Sequence, residues 1–141
     1  MPFRPLLGTV TTLKVRRFGP PGAFLEIPTE DARGNVPVVL IPNAEVPKGL
    51  REGDTLDVFI HLDSEDRPIA TMRQPKMQLG EVAFVEVTDT TPIGAFVDWG
   101  LVKNLLVPFA EQTKPLVKGE RHPIGLFVDS SGRLAGTMRD S

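Results

Sequence analysis

The segment Asp63-Ser64-Glu65-Asp66-Arg67-Pro68-Ile69-Ala70-Thr71-Met72-Arg73 returns as Asp129-Ser130-Ser131-Gly132-Arg133-Leu134-Ala135-Gly136-Thr137-Met138-Arg139. A chain that carries one unit twice must fold as two like bodies, and that constraint precedes any propensity. Pro42, Glu45 and Gly53 match Pro108, Glu111 and Gly119 at the same offset of 66 residues as the repeated segment. Gly8, Val10 and Gly22-Ala23-Phe24 instead match Gly80, Val82 and Gly94-Ala95-Phe96 at an offset of 72. Six extra residues therefore lie in the first copy between Phe24 and Pro42. The polar run 29–35, ending in Gly34-Asn35, has the turn chemistry to hold them. The expected domains are residues 1–73 and 77–141, joined by a linker, Gln74-Pro75-Lys76, too short for independent tumbling.

Each unit is small for an independent core, and 14 prolines and 13 glycines with no long apolar helical stripe argue for short strands and turns. Five strands are expected per copy. In the first they are 7–16, 23–27, 36–41, 56–62 and 69–73; in the second, 79–87, 93–98, 105–107, 122–128 and 133–138. Period-two alternation sends Ile93, Ala95 and Val97 one way and Phe96 the other. It likewise sends Leu56, Val58, Ile60 and Leu62 inward against Asp57, Phe59 and His61. Five short strands in so few residues protect their edges by curling closed. The expected fold class is all-β, two tandem five-stranded OB-fold barrels, with 42–53 and 108–119 as the connectors between third and fourth strands. Pro47 and Pro115 argue against a long helix there.

Net charge is -2, and the signs balance in each copy, with nine basic against ten acidic residues through Arg73 and seven against eight beyond it. That balance tells against a strongly electrostatic nucleic-acid binder, so any polyanion binding must use a local patch. Lys14, Arg16 and Arg17 form the one basic cluster, with Arg4 upstream. There is no cysteine, hence no disulfide and no thiolate metal site. No leader-like segment or run of about 18 apolar residues is seen, which points to the cytoplasm and to no membrane association.

The second copy resembles the RNA-binding barrel named after ribosomal protein S1. Gly80-Glu81-Val82, Gly94-Ala95-Phe96-Val97-Asp98, Leu106-Val107-Pro108, Lys118-Gly119-Glu120 and Val128-Asp129-Ser130-Ser131-Gly132-Arg133 follow its order and spacing over 78–139. A fainter likeness covers 6–73. Pro42-Asn43-Ala44-Glu45-Val46-Pro47, Gly94 through Leu101 and Leu105-Leu106-Val107-Pro108-Phe109 resemble, more narrowly, the bacterial conserved virulence factor B family. Its members carry further S1-like barrels and a C-terminal winged helix, so the resemblance implies an N-terminal part of such a protein or a short relative.

What this resemblance implies is single-stranded RNA on the outer face of strands two and three, in a non-catalytic post-transcriptional regulator. The stacking aromatics would be Phe96 and Phe24, with Arg133 and Arg67 as basic partners beside Asp129 and Asp63. Alternation, apart from the resemblance, puts Trp99 on the inward side at its strand's end, where a turn through Gly100 could redirect it. Packing in the core or between barrels, in support of the site, is expected before RNA contact. The family's aromatic before the glycine is replaced by Ile93 and Pro21, and its histidine after strand three by Pro108 and Pro42. A rival reading keeps the barrels as a protein-interaction scaffold, and an acidic surround at Phe96 would favour it. Neither His61 nor His122 has a carboxylate at metal-ligand spacing, and Ser64 and Ser130 lack a nucleophile elbow. No phosphate-binding glycine loop exists, so neither catalysis nor a cofactor is expected.

Overall fold

The computed structural model of the protein describes residues 6–28 and 33–139. It divides into two compact units, 1–73 and 74–141, and among the described residues all regular structure beyond single 3-10 turns is β. In the first unit β1 (Val10–Gly19), β2 (Gly22–Glu26), β3 (Val38–Pro42), β4 (Thr55–Leu62) and β5 (Pro68–Thr71) close into a barrel of order β1-β2-β3-β5-β4. All pairings are antiparallel except β3 with β5, which meet in parallel at Leu40 and Ile69. The inner row is Leu13, Val15, Ala23, Leu25, Val39, Ile41, Val58, Ile60 and Ala70, each buried. Removing a valine, leucine or isoleucine from water contributes about 1.5–3 kcal/mol, so this row holds the barrel.

The second unit repeats the plan with β6 (Val82–Thr91), β7 (Gly94–Val97), β8 (Leu105–Pro108), β9 (Arg121–Val128) and β10 (Leu134–Thr137), in the order β10-β9-β6-β7-β8. Here the seam between β8 and β10 is sealed by side-chain packing rather than a strand ladder. A Cβ on Gly136 would meet Val107 and Ile124 methyls at 2.8 Å, so the two strands press together where the first barrel has room for Ala70. The duplication extends to detail. Leu7 bridges Ile60 and Leu79 bridges Leu126, and a β-bulge falls at Arg16 in β1 and at Thr88 in β6.

Both connectors are single 3-10 turns, Asn43–Glu45 and Phe109–Glu111. Each connector ends on a glutamate that reaches the last strand. Glu45 accepts hydrogen bonds from the Thr71 hydroxyl at 2.8 Å and the Met72 N–H at 2.8 Å. Glu111 accepts from the Thr137 hydroxyl at 2.6 Å, and its backbone carbonyl takes the Met138 N–H at 2.9 Å. The repeated Thr-Met-Arg thus closes each barrel onto its own connector.

Several sequence expectations need correction. β1 and β6 begin about three residues later than expected and run on to Gly19 and Thr91, because the bulge lets each strand bend around the barrel instead of ending. Phe59, expected outward, is 1% exposed, its ring stacked on His61 with centroids 6.2 Å apart. Ile93, expected inward, is 62% exposed because it lies in the β6–β7 turn before the strand begins. Leu62, expected inward, ends its strand only half-buried.

Candidate functional site

The outer face of β2 and its neighbours is built around Phe24. Ala23 and Leu25 are fully buried, which turns Phe24 outward. Gly22 permits this strand to lie against β3: its φ is +153°, and a Cβ there would stand 2.0 Å from the Ile41 carbonyl oxygen. Gly94 repeats the arrangement before Phe96, with a φ of +155° and 2.4 Å to the Val107 carbonyl oxygen. No side chain fits either position.

Simple alternation from the buried Leu13 and Val15 would point Arg17 into the core. The bulge at Arg16 inserts one residue and re-aims Arg17 outward, directly across from Phe24. Its guanidinium carbon lies 4.0 Å from the Phe24 ring centroid, a cation–π contact. Arg16 reaches toward the Val36 carbonyl at 3.4 Å, and Lys14 stands across from Glu26. The row continues from Phe24 through Leu40 to Ile69. Three cations and an aromatic–aliphatic strip therefore share one face of the first barrel.

In the second barrel the same register places Asp89 across from Phe96, with Leu106 on the other side. Asp89 accepts from the Thr90 N–H at 2.9 Å and, among the described residues, makes no ion pair. Glu86 and Asp98 are adjacent through the Asp98 N–H to Glu86 carbonyl bond of 3.0 Å. Each is half-exposed and faces a cation at long range, Arg121 at 3.6 Å and Lys76 at 3.8 Å. Positions 14, 16, 17 and 26 sum to +2, and positions 86, 88, 89 and 98, 72 residues on, sum to -3. The equivalent faces are thus opposite in sign, a reversal hidden by the balanced totals.

Asp63 and Asp129 organise the β4–β5 and β9–β10 turns. Asp63 Oδ1 accepts the N–H groups of Glu65 and Arg67 at 2.8 and 3.0 Å, and Asp129 Oδ1 those of Ser131 and Arg133 at the same distances. The Arg67 N–H holds the Asp63 carboxyl below the usual carboxylate range. Burial raises Asp129, but the Ser131 hydroxyl and the Arg133 and Ser131 N–H groups outweigh it and leave a net lowering. Arg67 pairs with Asp63 at 3.1 Å and with Glu65 at 2.5 Å, so its charge is already matched by carboxylates. Arg133 lies exposed in its turn. Trp99 is 4% exposed and donates from Nε1 to the Lys103 carbonyl at 2.8 Å, fixing the loop after β7 rather than reaching the surface.

His122 shares a 3.0 Å hydrogen bond with Glu120, and the described residues hold no group of three metal-ligating side chains. No helix among them is long and apolar enough to cross a membrane.

Comparison with known proteins places this module. Residues 7–73 match the S1 domain. The match falls on the first barrel, the copy whose sequence likeness to that module is the fainter. Over 102 residues the chain is 35% identical to the uncharacterised Bacillus subtilis protein YitL, covering 68% of this chain and 34% of that protein. The chain is similar in structure to a multidomain protein of Streptococcus pneumoniae described as having nucleic acid binding domains. The TM-score is 0.73 at 20% identity, covering 97% of this chain and 47% of that one. The chain thus spans a third to a half of these relatives' lengths, and the structural likeness establishes the tandem OB-type fold.

Proposed function

We propose that this chain is a non-catalytic, single-stranded RNA-binding module whose principal contact is the outer face of the first barrel. The observation that carries the reading is the Arg17 guanidinium lying over Phe24, flanked by Lys14 and Arg16. A guanidinium plane supported by an aromatic ring is a ready platform for an unstacked base, and the neighbouring cations meet phosphates. Leu40 and Ile69 extend the strip for a second base, with Arg67 at the far turn. The S1 match over residues 7–73 and the nucleic acid binding domains named for the Streptococcus pneumoniae relative support the reading. The likeness to the conserved virulence factor B family supports a role in bacterial post-transcriptional regulation, with further domains beyond this chain.

Fluorescence anisotropy with short labelled RNA at several salt concentrations tests this. Phe24→Ala loses about 1–3 kcal/mol, a 5- to 150-fold weakening. Three phosphate contacts give a slope of about -2 in log affinity against log salt, at roughly -0.7 per contact. Well-folded protein that shows no RNA binding at low salt refutes the proposal.

A further inference from the structure

We infer that the outer face of the second barrel is a receptor for an arginine- or lysine-bearing segment of a protein, and not a second RNA face. The two barrels supply their own comparison. In the first, the position across from the outward phenylalanine holds a guanidinium, 4.0 Å from the ring centroid. In the second, the equivalent position holds Asp89, and among the described residues no cation lies over Phe96. The ring therefore keeps its electron-rich face, and a carboxylate without an ion pair stands beside it. Together they offer the two interactions a guanidinium takes best, a π-face and an anionic hydrogen-bond acceptor.

The surroundings extend the complementarity along the strand. Glu86 and Asp98 stand where the first barrel has Lys14 and Glu26, and Thr88 replaces Arg16. Their pairs with Arg121 and Lys76 are long and half-exposed, so an incoming cation can share or displace them at small cost. The same carboxylates repel a phosphate backbone, which sets the class of partner: an extended, basic peptide segment. One barrel is thereby fitted to a polyanion and the other to a polycation, so that a single chain has a face for each.

The test uses the full chain and a fluorescein-labelled peptide of eight alternating glycines and arginines, with a glycine–glutamine peptide as control. Anisotropy should report saturable binding of the arginine peptide only. Asp89→Asn and Phe96→Leu should each weaken it about 5- to 10-fold, while Phe24→Ala leaves it unchanged. Asp89→Arg should abolish peptide binding and strengthen RNA binding several-fold. The inference is overturned if the peptide does not bind, or if Asp89→Asn and Phe96→Leu leave its affinity unaltered. It is equally overturned if Phe96→Ala weakens RNA as much as Phe24→Ala does, which would make both faces nucleic-acid surfaces. RNA and peptide are titrated separately, so failure of the RNA reading at Phe24 leaves the peptide result independent. Trp99 fluorescence and circular dichroism confirm that each variant is folded.

Discussion

The glutamates that tie each connector to its last strand should differ in worth, although the repeat makes them equivalent in sequence. Glu45 accepts two hydrogen bonds through its carboxylate, from the hydroxyl of Thr71 and the N–H of Met72. Hydrogen bonds to a charged group contribute about 1.5–3 kcal/mol each. Glu45 is half-buried, so the low end applies, and Glu45→Ala should cost about 3 kcal/mol. Thr71 is only 3% exposed, so its hydroxyl loses its acceptor with little access to water. Among the described residues the Glu111 carboxylate accepts only the Thr137 hydroxyl, because Met138 bonds the backbone carbonyl, which truncation leaves in place. Glu111→Ala should therefore cost about half as much, near 1.5 kcal/mol. Urea unfolding separates the two, since the one tryptophan, Trp99, reports the second barrel and far-ultraviolet dichroism reports both. With a slope near 1 kcal/mol per molar urea for so small a unit, Glu111→Ala should move the fluorescence midpoint by about 1.5 M. Glu45→Ala should move the other dichroism component about twice as far, and the glutamine variants should recover part of each loss. If Glu111→Ala proves as costly as Glu45→Ala, or both cost under about 0.5 kcal/mol, the clasp reasoning fails.

Gly22→Ala and Gly94→Ala each drive a methyl into a strand carbonyl at 2.0 or 2.4 Å. Each should cost upwards of about 3 kcal/mol and leave its barrel unfolded by dichroism or proton NMR. Gly136→Ala meets only methyl groups, at 2.8 Å, so a loss of about 1–3 kcal/mol in the Trp99 urea transition is expected. Asp63 and Asp129 have folded pKa values below their unfolded ones. Their contribution is full above the unfolded carboxylate pKa of about 4 and is lost as pH falls through the lowered folded values. Thermal melts from pH 6 to pH 2 should show that acid loss reduced in Asp63→Asn and Asp129→Asn.

Much of this was legible in the sequence because it depends on local period and repeated landmarks. Alternation alone turns Phe24 and Phe96 outward, and the Asp-to-Arg spacing of the final hairpins marks a turn. The position of Arg17 was not legible, since alternation from Val15 points it inward and only the bulge, a matter of pairing with β2, reverses it. Phe59 escaped for a related reason: its strand position faces out, but its ring lies on His61. Glu45 and Glu111 stood out as landmarks with no assignable role, because their partners lie 26 residues away. The charge reversal needed only the 72-residue offset applied to Lys14, Arg16, Arg17 and Glu26; summing charge over whole copies averaged it away.

The clasps also bear on how such a chain is made. Two copies with the same strand plan can trade strands while incomplete, a hazard of tandem repeats emerging from the ribosome. Glu45, Thr71 and Met72 all lie within the first copy, so that barrel closes on bonds that need nothing from the second. A barrel closed in this way offers no open seam to a strand of the other copy. Each clasp joins a connector to the last strand of its own copy, so a bond that looks like a detail of closure also rewards the correct pairing of twin sequences.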